Sequence, residues 1–340
     1  MSQTDSILQT LLVKQNQILA KLNALSEDSA ASGAVLDVFF EREFYRDFET
    51  GDDFRERFLR LVKGLDAKSV TTAVQCLQRV KRIRGCADRY MSLYTAEERE
   101  EYRHMKERFS REILQLSGDC CFYDGWMLPN AAFEPSVFID QCGFRHLRHP
   151  ERMAGKAVID AGAYIGDSAL LFSKLTDGPI HAFEPASDNY ALMLKTLALN
   201  GIEDRVVPRK MALGAQPGSV SLARSIVPSA NTQVKKSSVP YAGTETVPVV
   251  ALDDYVREHQ LKVGLIKIDV EGAEQSLLLG AVETLRTMRP ALLVSIYHNA
   301  SDFFDIKPML EDMDLGYRFR IRHPAIGTVM TETMLIAEVE

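Results

Sequence analysis

The 340-residue sequence predicts an α/β protein. Its main part reads as a doubly wound, mostly parallel sheet that closes with an antiparallel C-terminal hairpin, preceded by an α-helical N-terminal region. Three observations carry this. From about residue 155, short apolar runs alternate with helix-like segments, the βαβα rhythm of a parallel sheet covered on both faces. Near the C-terminus, GYRFRIRH and TETMLIAEV are separated only by PAIGTVM. That gap is too short for a parallel crossover, which needs about a dozen residues, so the two runs pair antiparallel at the sheet edge. Before residue 150, apolar residues recur at helical spacing.

Residues 1–26 are polar with regular apolar punctuation. Leu8, Leu11, Ile18, Leu22 and Leu25 fall on a 3,4 spacing with Gln15 in the remaining seam position, the a/d pattern of a short coiled coil or an amphipathic helix. A homo-oligomer joined through these heptads is the expected use. SEDSAASG, Ser26 to Gly33, reads as a flexible linker. The helical region spans residues 27–150. In DDFRERFLRLVKGL, Phe54, Phe58, Leu61, Val62 and Leu65 share one face. Thr95 followed by Glu98 is a capping-box start, since hydroxyl and carboxylate can each satisfy an orphan amide. KRIR, Lys81 to Arg84, is either a solvated helix face or a phosphate contact.

Residues 151–340 hold the alternating part. KAVIDAGAY is strand then turn, GDSALLFSKL helix, and PIHAFEP strand then turn. DNYALMLKTLALNG is a helix with Gly201 as its C-terminal cap. RVVPRKMAL is strand, and the stretch from Gly214 to about Pro248 reads as strands with an excursion loop. DDYVREHQL is helix, VGLIKID strand, GAEQSLLLGAVETLRTM helix and ALLVSIY strand.

Composition bounds the function. Hydrophobic residues make up 46% and charged residues 26%, ordinary for a globular protein. A net charge of −7 argues against a broad nucleic-acid or anionic-membrane surface. The longest apolar runs are strand-sized, far below the roughly 20 residues that span a bilayer. The first residues lack a signal-like pattern. The five cysteines (Cys76, Cys86, Cys120, Cys121, Cys142) show no CxxC spacing and suit reduced thiols in a cytoplasmic protein.

In such sheets ligands bind outside the carboxyl ends of the strands, where strand order reverses. The unusual residues gather there. After the first strand comes Asp160-Ala-Gly162-Ala163-Tyr164-Ile-Gly166-Asp167, whose glycines allow a tight turn and close approach to a ligand. After the second comes Glu184-Pro185, an acid placed to hydrogen-bond a ribose diol. Dinucleotide sites favour GxGxxG, but here the loop is GAYIG, with Ala163 and Tyr164 where a pyrophosphate needs room. A ribose cofactor without a pyrophosphate fits better, and S-adenosylmethionine is the obvious one.

From about Ala157 to the end, the sequence resembles the FkbM-type S-adenosylmethionine-dependent methyltransferases. IDAGAYIGDSALLF, HAFEPASDNYALMLKTLALNG, MALG with Gly218, VPVVALDDYV, VGLIKIDVEGAEQSLLLGA and RPALLVSIYH carry the resemblance, KIDVEGAE most specifically. It implies a class I methyltransferase (Rossmann-like) fold and methyl transfer, usually to a hydroxyl of a sugar, glycan or similar metabolite. Carried over by position, Asp160, Gly162 and Gly166 line the methionine part of the cofactor, with Ala163, Tyr164 and Asp167 in the same loop. Glu184, followed by Pro185, holds the ribose. Met211 and Ala212 occupy the turn after the third strand and meet the adenine through backbone and apolar contact.

Methyl transfer to a hydroxyl needs alignment and a general base. His298, at the end of the fifth strand, and Asp269, at the end of the fourth, are the candidates, with Asp302 placed to fix the tautomer of His298. Asp269 also borders the sulfonium. Glu271 either reaches the substrate or starts the next helix, and Glu274 reads as a first-turn acid that favours the helix dipole. Oxygen ligands at Asp269 and Glu271 would suit magnesium or calcium, but nothing else in the sequence demands a metal and none is expected. His323 is either a cleft residue or a turn residue. Two readings stand as alternatives: a nicotinamide-dependent oxidoreductase, and a coiled-coil assembly protein with a degenerate methyltransferase domain.

Overall fold

A computed structural model describes residues 53–83, 93–225, 241–324 and 328–339. The heptads of residues 1–26, the linker that follows and Arg84 lie outside the described residues. Three helices come first: α1 (Phe54–Val62), α2 (Ala67–Ile83) and α3 (Ala96–Glu112). The start of α3 is the expected capping box, with Glu98 N donating to Thr95 Oγ1 and Thr95 N donating to Glu98 Oε2. Leu61 is fully buried, and Phe54, Phe58 and Leu65 pack on the same core.

The helical reading of residues 27–150 does not extend past α3. Strands β1 (Leu114–Ser117), β2 (Cys120–Tyr123) and β3 (Trp126–Leu128) form an antiparallel meander. The cause is local turn chemistry. Asp124 and Gly125 both have positive φ, 47° and 85°, the type I′ hairpin geometry that an Asp-Gly pair favours. Cys121 and Tyr123 face inward while Phe122 is exposed. A short helix α4 (Pro135–Phe138) and two 3-10 turns lead into the sheet.

The remaining elements are β4 (Ala157–Ala161), α5 (Asp167–Leu175), β5 (Ile180–Phe183), α6 (Ser187–Asn200), β6 (Val206–Arg209), β7 (Ala212–Gly214), β8 (Gly218–Ser225), β9 (Tyr241–Ala251), α7 (Leu252–Glu258), β10 (Val263–Ile268), α8 (Glu274–Leu279), α9 (Val282–Met288), β11 (Ala291–Ser295), α10 (Ala300–Asp312), β12 (Tyr317–Arg322) and β13 (Met334–Val339). The central sheet has the order β12-β13-β11-β10-β4-β5-β6. β4, β5, β6, β10 and β11 run parallel, and β13 lies antiparallel between β11 and β12. The hairpin thus forms the edge, as its short connection requires. Every residue of β4 and β10 is buried, the signature of strands covered on both faces. β7, β8 and β9 form a small separate sheet.

The N-terminal helices share one core with the sheet: Leu61, Ala73, Cys76, Leu77 and Val80 pack with residues of β10, β11 and α10. Arg57 pairs with Asp305 at 2.7 Å and Lys307 Nζ donates to the carbonyl of Lys63 at 2.6 Å. On the edge strand, Ile321 N donates to the Ser69 hydroxyl of α2 at 3.0 Å. No helix among the described residues is long and apolar enough to cross a membrane.

Candidate active site

Strand order reverses between β4 and β10, and a cavity of about 520 Å³ opens there at the carboxyl ends of the parallel strands. Of the residues singled out in the sequence, Gly162, Tyr164, Asp167, Glu184, Pro185, Met211, Ala212, Asp269, Glu271 and His298 line it. Asp160, Ala163 and Gly166 stand behind the lining. Asp160 is fully buried; its Oδ2 accepts from Ser168 Oγ at 2.7 Å, and its Oδ1 lies 3.3 Å from Lys267 Nζ.

The turn after β4 is held by its neighbours. Gly162 has φ 78°, and a Cβ there would sit 1.8 Å from the carbonyl oxygen of Asp269. Glycine is required because the ends of β4 and β10 converge, a different reason from close approach to a ligand. Lys267 completes the joint, donating to the Gly162 carbonyl at 2.6 Å. Burial works against its charge, but Asp160, then Asp269, hold its ammonium above the usual lysine range. Its place inside an apolar strand hid this role from sequence reasoning.

Glu184 sits at the end of β5 and is 6% exposed. Its Oε2 accepts from Tyr164 N at 3.0 Å and its Oε1 from Ala186 N at 2.8 Å. Burial pushes its carboxyl up to about 7, against those hydrogen bonds. Each oxygen keeps acceptor capacity beyond one amide. Val220, Leu222 and Val249, from the small sheet, give this end an apolar wall that the sequence did not announce.

At the other end, the KIDVEGAE turn and the end of β11 face each other. The His298 side chain is 2% exposed, with Nδ1 2.9 Å from Glu274 Oε1 and Nε2 3.4 Å from Asp269 Oδ1 and 3.7 Å from Glu271 Oε2. Burial alone would lower its pKa, but Glu274, then Glu271 and Asp269, raise it to about 10. Burial likewise opposes the charge on Glu274, and His298 brings its carboxyl below the usual range. Glu274 also accepts from Val270 N at 2.9 Å, so it closes the turn before α8 and grips the histidine. Glu274, not Asp302, is the carboxylate against Nδ1. Asp302 accepts from Gln275 and Asn299 instead, and burial, then Glu274, pushes it up to about 7.

Glu271 follows the strand with φ 55°, an uncommon backbone state for a residue with a side chain. Asp269, Glu274 and His298 offer possible metal-ligand atoms within 4.8 Å of one another. The imidazole stands between the carboxylates, one nitrogen toward Glu274 and the other toward Asp269 and Glu271, so the ring itself supplies positive charge at their centre. Tyr297, Glu134 and Glu332 also line this end and were not foreseen. The Tyr297 hydroxyl lies 3.4 Å from both Asp269 Oδ1 and Glu332 Oε1. Burial, then Asp269, pushes the Glu332 carboxyl up to about 8. His323 does not line the cavity; Thr328 Oγ1 meets its Nε2 at 3.3 Å, and burial lowers it to about 3. Lys81 and Arg82 of the KRIR run are exposed on α2.

Methyltransferase sdnD of Sordaria araneosa is 27% identical over 185 residues, 46% of this chain and 71% of that protein. Hexuronic acid methyltransferase AglP of Haloferax volcanii is 26% identical over 158 residues, 46% of this chain and 62% of AglP. The crystal structure of methyltransferase FkbM from Methylobacillus flagellatus superposes with a TM-score of 0.50 at 18% identity, covering 84% of this chain and 60% of that one. The fold is that of the class I methyltransferases. Residues 160–319, just under half of the chain, match the family model of the methyltransferase FkbM domain.

Proposed function

We propose that the protein transfers the methyl group of S-adenosylmethionine to a hydroxyl of a sugar, a glycan or a similarly hydroxylated metabolite. One observation carries the reading: a single cavity holds Glu184 at one end and Asp269 with His298 at the other. The donor set suits the cofactor. Glu184 would accept from the ribose hydroxyls, Met211 and Ala212 would flank the adenine, and Gly162, Tyr164 and Asp167 would border the methionine part. When bound, S-adenosylmethionine supplies the electrophilic methyl carbon. The relative AglP, named as a hexuronic acid methyltransferase, supports a sugar acceptor.

The chain's own residues align the acceptor and take its proton. His298 and Asp269 are the two candidate bases, and a ring raised to about 10 is already protonated at neutral pH, which favours Asp269. Asp269 is therefore the base in this proposal. His298 is the cation that orients it, Glu274 fixes the ring from behind, and Glu271 flanks Nε2.

Calorimetric titration with S-adenosylhomocysteine tests the cofactor half: wild type gives heat, and Glu184→Ala loses most of it. Mass spectrometry of hydroxylated acceptors incubated with S-adenosylmethionine tests the rest, as the gain of one methyl group. No heat from the wild type, or heat unchanged in Glu184→Ala, sinks the assignment.

A further inference from the structure

The cavity continues past Asp269 into an end built largely from residues outside the 160–319 stretch. Glu134 precedes α4, and Glu332 lies in the loop between β12 and β13. Ser136, beside Glu134 in sequence, lies close enough to Glu332 to ease its carboxyl down against the effect of burial, so these two distant segments meet at the lining. Tyr297 bridges Glu332 toward Asp269. Thr328 and Thr331 add hydroxyls.

The charge at this end is one-sided. Lys267 and His298 are the cationic side chains of the described lining, and no arginine joins them. Both are engaged: Lys267 with Asp160 and the Gly162 carbonyl, His298 with Glu274, Asp269 and Glu271. Burial, then the neighbouring Glu332, holds the Glu134 carboxyl well above the usual range. Two confined carboxyls held back from ionising gain most from a ligand that brings positive charge and several N–H donors, because the cation draws them to their carboxylate forms. A carboxylate or phosphate on the ligand would hold the two glutamates still further from ionising and would bring its own charge to a lining whose cations are already engaged.

We propose that this end of the cavity takes an acceptor carrying a protonated amine beside the hydroxyl to be methylated, that Glu134 and Glu332 determine this specificity, and that acidic acceptors are rejected. The inference rests on the methyl-transfer reading and deepens it by naming the acceptor's charge. An ammonium between the two glutamates stabilises their ionised forms, while Tyr297 and the threonine hydroxyls meet the remaining polar groups of the acceptor. Asp269 stays free to receive the proton of the neighbouring hydroxyl.

The test uses the full chain saturated with S-adenosylhomocysteine and three matched probes: the methyl glycosides of glucosamine, glucose and glucuronic acid. Their binding is measured by calorimetry. The expected order is amine over neutral over acid, with steps of about tenfold, since each reflects one charge contact in a confined site. Glu134→Gln and Glu332→Gln, which keep shape and remove charge, each shrink the amine-to-acid ratio by about tenfold, with thermal melts to show that both fold. Binding of the glucuronide as tight as that of the glucosaminide overturns the proposal. So does a ratio unchanged in both variants, or failure of all three probes to bind. Methyl transfer is followed in parallel with S-adenosylmethionine. Ranked binding with no methylated product upholds the charge selection and sinks the methyl-transfer reading instead.

Discussion

The sharpest prediction concerns the protonation of His298 and its signature in a pH profile. The ring is nearly inaccessible, with Glu274 on Nδ1 and Asp269 and Glu271 near Nε2. Raising an imidazole from 6.5 to about 10 corresponds to roughly 5 kcal/mol of preference for the cation, at about 1.36 kcal/mol per decade. The folded-state value lies above the unfolded one. The stability contributed is therefore complete below about 6.5 and is lost as pH climbs through about 10. With His298 as an orienting cation, kcat/KM stays level through neutrality and falls on the alkaline side as the ring gives up its proton. A neutral His298 base would instead produce an ascending limb near 6.5. The assay is kcat/KM against pH at saturating cofactor, alongside NMR titration of the His298 ring nitrogens. His298→Gln should lower the rate by about 10² or more and remove the alkaline limb. A ring that titrates near 6.5, with a matching activity limb that disappears in His298→Gln, would make His298 the neutral base and not the orienting cation.

Three further outcomes follow from the same geometry. Lys267→Met strands Asp160 as a buried charge without its cation, which should cost about 3–5 kcal/mol, read as a shift in denaturant midpoint at constant slope. Gly162→Ala places a methyl 1.8 Å from the Asp269 carbonyl; the strand ends must part, and both thermal stability and S-adenosylhomocysteine affinity should fall, whereas an unchanged melt would contradict the convergence of β4 and β10. Because the His298 ring supplies the positive charge among the carboxylates, chelation with EDTA should leave methyl transfer unchanged; loss of activity restored by a divalent cation would replace the imidazolium reading with a metal site at Asp269, Glu274 and His298.

Much of the fold was legible because its signals are periodic or local. The alternating runs after residue 155 specify the parallel strands, and the short link between the last two forces the antiparallel edge. The turns after β4 and β5 were readable from Gly162 and Glu184. The meander was missed although Asp124-Gly125 marks it, since strands of three or four residues leave little periodicity to count. Lys267 stands inside the KIDVEGAE motif with nothing local to mark its role, because the partner that explains it, Asp160, is on another strand. Glu134 and Glu332 carry no local signature at all. Their meaning comes from convergence across nearly two hundred residues of chain, which no spacing rule reaches.

The contact between Ser69 and the edge strand bears on how this protein could be divided. A strand edge left open offers its amides to any neighbouring strand and invites association. Here the β12 edge meets a hydroxyl supplied by α2, and apolar residues of that helix complete the core beneath. Trimming the chain to the stretch that matches the family would remove this seal. The excised piece would carry the family's motifs and still present a sticky border. Its design as an expression fragment should therefore start before α1 rather than at the motif boundary.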